Sequence, residues 1–178
     1  MRQIQIGTTA IFLLLLSTAG CKSFLGEPSV ASKGPKPARV VDIPAIIKTS
    51  HEDGASRKEI KALIGVPPED ESRINIEWVF PEGRFTVFYF DGKRDFMSFA
   101  VRGQDGADQG GHGLDSIEDM AALVGIDLEG KQPDEYSSVR SAYSYSLDMD
   151  GKKVSADFDR FYNKILEVRV HEIEPSGK

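Results

Sequence analysis

Alternation of apolar and polar side chains dominates the chain beyond residue 73. Ile74, Ile76, Trp78 and Phe80 alternate with Asn75, Glu77 and Val79, the period-2 spacing of a strand with one buried face. Pro81-Glu82-Gly83 turns the chain into a second strand over residues 84–90. Asp91-Gly92 is a strong hairpin dipeptide and returns it along residues 95–101. The plan recurs further on. Val139, Ser141, Tyr143, Tyr145 and Leu147 alternate with Arg140, Ala142, Ser144 and Ser146. A turn over 148–152 leads into a strand at 153–161, and Tyr162-Asn163-Lys164 turns it back along 165–170.

Each set of strands follows a short helical pattern. Ser56 with Glu59 reads as a capping box, in which the hydroxyl takes an amide at the helix start and the carboxylate reaches back. Ile60, Leu63 and Ile64 then share one helical face, and Gly65 ends the helix ahead of Pro67-Pro68. Ser116, Asp119, Met120, Leu123 and Gly125 repeat the arrangement sixty residues later. A further short helix is predicted near 43–49, with Asp42 as its cap and Pro44 in its first turn. The predicted fold class is therefore α+β: two tandem halves, each a helix followed by a three-stranded antiparallel sheet.

The two meanders differ in their second faces. In the later one, Arg140, Ser144, Ser146, Ser155, Asp157, Asp159, Glu167 and Arg169 make a solvated face. In the earlier one both parities are apolar, with Phe85, Val87, Tyr89 and Phe96 on one side and Val79, Phe88, Phe90, Met97 and Phe99 on the other. Something must cover that second side: the other half of the chain, the first helix pair, or a partner. Val79, Phe88, Phe90, Met97 and Phe99 are the candidate partner surface, and the expectation is an intramolecular cover.

The N-terminus reads as an address. Arg2 precedes a wholly apolar run from Ala10 to Leu16, too short to span a bilayer, and small residues follow. Thr18-Ala19-Gly20-Cys21 is similar to the lipobox of bacterial lipoproteins, which implies lipidation of Cys21; Thr18 stands where Leu is commonest. The alternative is ordinary cleavage and a soluble secreted chain, but this would leave the only Cys as a free thiol in an oxidising compartment. Residues 22–39 carry three Pro, two Gly and three Ser without periodicity and read as a flexible tether of roughly 60 Å when extended. The predicted organisation is a lipoprotein signal peptide at 1–20, lipidated Cys21 and tether at 21–39, a first half at 40–101, a Gly-rich linker at 102–115, a second half at 116–172 and a tail at 173–178.

Composition narrows function by exclusion. The 178 residues carry 22 Lys+Arg against 28 Asp+Glu, a net charge of −6, which argues against nucleic acid as a partner. One Cys excludes an internal disulfide framework, and three scattered His without helical metal spacing make a zinc enzyme improbable. No nucleophile elbow or phosphate-cradling loop is present. Gly110-Gly111-His112-Gly113-Leu114-Asp115-Ser116-Ile117-Glu118 fits a calcium-binding β-roll nonapeptide, but such sites need tandem copies, so a linker is the expected role. Asp148-Met149-Asp150-Gly151 is expected to be a hairpin turn rather than part of a calcium loop.

Gly54-Ala55-Ser56, Glu59-Ile60, Leu63-Ile64-Gly65, Pro67, Trp78-Val79-Phe80 and the stretch from Phe88 to Lys93 resemble the SmpA/OmlA family over residues 40–101. These small outer-membrane lipoproteins include BamE-like subunits of the β-barrel assembly machine. The tandem plan also resembles the β-lactamase inhibitor protein. The resemblances imply a non-enzymatic envelope protein without cofactors, anchored to the outer membrane and facing the periplasm. It would act by binding an envelope protein partner, as an adaptor or assembly subunit. The alternative is an inhibitor of a periplasmic or secreted enzyme, with an envelope hydrolase least expected.

Overall fold

The computed structural model describes residues 36–101 and 113–173. Cys21, the signal segment, most of the tether and the start of the Gly-rich stretch lie outside the described residues. In chain order the elements are α1 (Ile43–Ile47), α2 (Asp53–Ile64), β1 (Asp70–Glu71), β2 (Asn75–Val79), β3 (Gly83–Phe90) and β4 (Lys93–Val101). They are followed by α3 (Ile117–Leu123), β5 (Glu135–Ser137), β6 (Ala142–Met149), β7 (Lys152–Phe161) and β8 (Lys164–Glu172).

The predicted strands form within a few residues of their expected bounds, but the halves do not stay separate. All eight strands make one antiparallel sheet in the order β1-β2-β3-β4-β8-β7-β6-β5. The expected pair of helix-plus-three-strand halves is thus corrected, among the described residues, to a single sheet with three short helices. The reason lies at the seam. Each meander would end on an edge strand with a row of unpaired backbone groups, and β4 and β8 satisfy one another's. Their register sets Met97 opposite Val170 and Phe99 opposite Val168, so the apolar faces merge into one.

The helices cover that face alone. Ile43, Ile46, Ile47, Ile60, Ile117, Met120 and Val124 join Trp78, Phe85, Val87, Phe99, Phe158 and Val168 in one buried cluster. The first helical segment bridges the halves: the amides of Val40 and Val41 donate to the Leu123 carbonyl, and that of Ile43 to Val124, at the end of α3. Caps form as expected at Asp42, which accepts from Ala45 N at 3.0 Å, and at Ser116, which accepts from Asp119 N at 3.1 Å. The Ser56 box does not form, because α2 starts three residues earlier. Ser56 is instead fully buried, its hydroxyl 3.2 Å from the Tyr89 hydroxyl, and Glu59 accepts from Ser50 N at 2.7 Å. Leu63, expected on the buried face, is 53% exposed.

A β-bulge corrects the face assignment in the first meander. The Asp91-Gly92 turn pairs Phe90 with Lys93 and Tyr89 with Arg94. Continued without interruption, that register would put Phe96 beside Val87. The bulge between Val87 and Tyr89 shifts the pairing by one residue, which reverses every later side chain of β4. Met97 and Phe99 therefore face inward at 1% and 0% exposure, opposite Val87 and Phe85. Arg94 also turns inward. Phe96 goes to the open face and stacks on Phe88 with ring centroids 4.3 Å apart. Neither the second half nor the helix pair covers this face; the two rings half-bury each other.

Candidate functional site

The predicted partner residues are thus divided. Met97 and Phe99 belong to the core, Phe88 is half-buried against Phe96, and only Val79 and Phe90 are exposed. Val79 and Phe90 lie towards opposite ends of the first meander, so the five residues do not make one surface. The rest of the open face is polar and paired within itself. Arg140 reaches Asp157 at 3.3 Å, and Arg169 joins Asp159 and Glu167. Burial raises the Asp159 carboxyl pKa despite the Arg169 charge beside it.

Two surfaces stand out that sequence patterning missed, one at each end of the strands. The first is at the β7–β8 hairpin and the neighbouring β5–β6 loop, which Arg160 N joins by donating to the Ser141 carbonyl at 2.8 Å. Val139 is 95% exposed, Tyr162 80% and Phe161 45%. Tyr162 and Ser141 hold positive φ values of 52° and 51°. This left-handed backbone disfavours side chains with a Cβ, and an aromatic there is strained by about 1–2 kcal/mol. Arg160 fixes the strained turn. Its guanidinium donates to the Tyr162 carbonyl at 2.7 Å, Asn163 Oδ1 at 2.9 Å and the Tyr143 hydroxyl at 3.2 Å. No carboxylate among the described residues neutralises it. The available signal was the aromatic doublet where the predicted strand 153–161 meets its turn at Tyr162.

The second surface is a cleft of about 870 Å³ at the opposite end, where the loop between α1 and α2, the β3–β4 turn, the β6–β7 turn and the end of β8 meet. Arg94, 3% exposed, organises its floor. It donates to the Ile46 carbonyl at 2.9 Å, to Thr49 Oγ1 at 2.8 Å and to Glu172 Oε1 at 2.5 Å. Lys152 Nζ donates to the Ile47 carbonyl at 2.7 Å and lies 3.2 Å from Glu172 Oε2. Two cations thereby occupy the C-terminal carbonyls of α1, where the helix end is electronegative. Burial alone would raise the Glu172 pKa, but hydrogen bonds and charge from Arg94 and Lys152 outweigh it and hold the carboxyl below its ordinary value. His51 Nδ1 lies 3.7 Å from the same carboxylate. Its neighbours Glu52 and Asp53 begin α2 and do not converge with it on a metal site.

The remaining sequence candidates are locally accounted for. Gly113-Leu114-Asp115 runs against β8: Leu114 bridges Ile165, Asp115 pairs with Lys164, and a Cβ on Gly113 would lie 2.7 Å from Lys164 Cβ. Asp150-Gly151 is the β6–β7 hairpin turn, with Asp148 Oδ1 accepting from Gly151 N at 2.9 Å. Among the described residues no three His, Cys, Asp or Glu side chains gather as a metal site, and no helix is long and apolar enough to cross a membrane. Searches of family models, curated proteins and solved structures find no match to this chain.

Proposed function

We propose that this chain is a lipid-anchored envelope protein that works by binding another protein, as an adaptor or assembly subunit at the outer membrane. The anchor is Cys21, on the strength of its lipobox-like setting. The observation that carries the binding role is the hairpin end of β7 and β8. Exposed aromatics are the side chains that contribute most when an interface closes over them. Here they are held in a strained turn by a three-bonded arginine, so little ordering cost remains to be met on association.

Two measurements test this proposal. Metabolic palmitate labelling should mark the protein and vanish in Cys21→Ser; an unlabelled wild type would remove the anchor. A photo-reactive residue at Tyr162 should give protein adducts in intact membranes, while one at Val79 on the open sheet face should not. Absence of adducts from Tyr162 would remove the hairpin end as the docking surface.

A further inference from the structure

We infer that the outer edge of the sheet, along β6 beyond the end of β5, takes up a lysine- or arginine-bearing extended segment of another protein as an added strand. The site is separate from the β7–β8 hairpin, and the inference does not rest on the role proposed there.

Register fixes which backbone groups are open. β6 pairs with β7 along its whole length, and the two-residue turn Asp150-Gly151 makes Met149 and Lys152 the closing pair. The Ser141 carbonyl likewise accepts from Arg160 N, so the odd-numbered residues of β6 turn their N–H and C=O groups to β7. The even-numbered residues turn theirs outward. β5 covers only Ala142, Tyr143 and Ser144. Asp134, just ahead of β5, closes the next step: its N donates to the Ser144 carbonyl at 2.8 Å, and its carboxylate accepts from Ser146 N. Past that point the Ser146 carbonyl and the N–H and C=O of Asp148 have no backbone partner among the described residues. Both residues are exposed. An open edge of this kind accepts a further strand. The opposite edge is not equivalent, because Pro67-Pro68 leads into β1 and proline has no N–H to offer.

Charge selects the occupant. The segment bordering this edge carries Asp127, Glu129, Asp134 and Glu135 against Lys131, and none of the five makes an ion pair among the described residues. The other charges nearby cancel in pairs: Asp148 with Lys153, Asp150 with Lys48, and Arg140 with Asp157. The excess is therefore three negative charges, half of the chain's net −6, along one edge. Antiparallel pairing in line with β5 then sets the alternation of the ligand. Residues opposite Ser146 and Asp148 hydrogen-bond to β6 and share the sheet face of Glu135, so the basic side chains belong there. The residues between them face the helix side, beside the buried Leu147 and Met149, where apolar side chains belong.

The test uses the full chain in a neutral detergent, titrated by amide NMR with acetyl-Lys-Val-Lys-Val-Lys-amide. Saturable shifts are expected at Leu147, Asp148 and Met149 with a Kd below about 1 mM. The Asp148 amide should exchange with solvent at least about 5-fold more slowly in the complex. N-methylation of the central lysine, whose amide faces β6, should weaken binding at least about 5-fold, whereas N-methylation of a valine should not. Both methylated peptides keep their charge, so equal binding by the two, or the reverse order, would overturn the inference. So would binding of acetyl-Glu-Val-Glu-Val-Glu-amide as tight as that of the lysine peptide, or no saturable shift. The Glu129→Gln/Glu135→Gln variant should bind the lysine peptide at least about 3-fold more weakly. Neither side chain makes a hydrogen bond or ion pair among the described residues, so the variant's spectrum away from the edge should be unchanged.

Discussion

Arg94→Met removes the cation that ties α1 to the end of the sheet while keeping a stem of similar length. The substitution removes the donor to Thr49 Oγ1, one of the donors to the Ile46 carbonyl, which keeps Thr49 N and Oγ1, and the shorter of the two donors to Glu172 Oε1, which keeps Lys152. Breaking a buried ion pair by removing one partner costs about 3–5 kcal/mol. Glu172 retains Lys152 and its side chain is 19% exposed, so the lower end applies, about 3 kcal/mol. With a urea m-value of about 2 kcal/mol/M, the midpoint should fall by about 1.5 M. Adding Glu172→Gln should recover part of this, a coupling of about 1–2 kcal/mol. The pH dependence has a definite sign. The folded Glu172 pKa is below its ordinary value of 4.5, so the stability it contributes is present above pH 4.5 and is lost as pH falls through the folded pKa. The difference between wild type and Arg94→Met should therefore be constant from neutral pH to about 5 and shrink below about 4.5. A loss under about 1 kcal/mol at neutral pH, or a difference undiminished at acid pH, would refute the claim that this network fastens α1.

Three other outcomes follow from the packing. Phe99→Ala should cost about 3–5 kcal/mol in a denaturant melt, as a fully buried ring does, whereas Phe88→Ala should cost only about 1–2 because it loses a half-exposed stack; equal losses would contradict the bulge-shifted register. Tyr162→Asn should raise stability by about 0.5–1 kcal/mol, since Asn tolerates the left-handed backbone better, with a higher Tm as the readout. Gly83→Ala should destabilise by more than about 1 kcal/mol, because its Cβ would lie 2.3 Å from the Ala100 carbonyl oxygen and 2.9 Å from the Phe99 ring; an unchanged urea midpoint would count against that close approach.

What the sequence determined is local. Period-2 alternation placed six of the eight strands, Asp91-Gly92 and Asp150-Gly151 placed two hairpin turns, and Asp42 and Ser116 marked two helix starts, because each signal acts within a few residues. What the tertiary structure alone decided is which edges pair and which parity faces inward. The union of β4 with β8 satisfies backbone groups more than sixty residues apart in sequence, and no spacing rule reports it. The bulge in the β3–β4 pairing inverted the faces of Met97 and Phe99 through a one-residue shift that apolar side chains on both parities left unspecified. The cleft likewise draws on the β3–β4 turn, β4, β7 and the last residues of β8, whose charges meet only once the sheet has closed that seam. Arg94 shows the difference most directly: in sequence it is one of many surface-type charges, and in the fold it is buried because two helix carbonyls and a distant carboxylate converge on it.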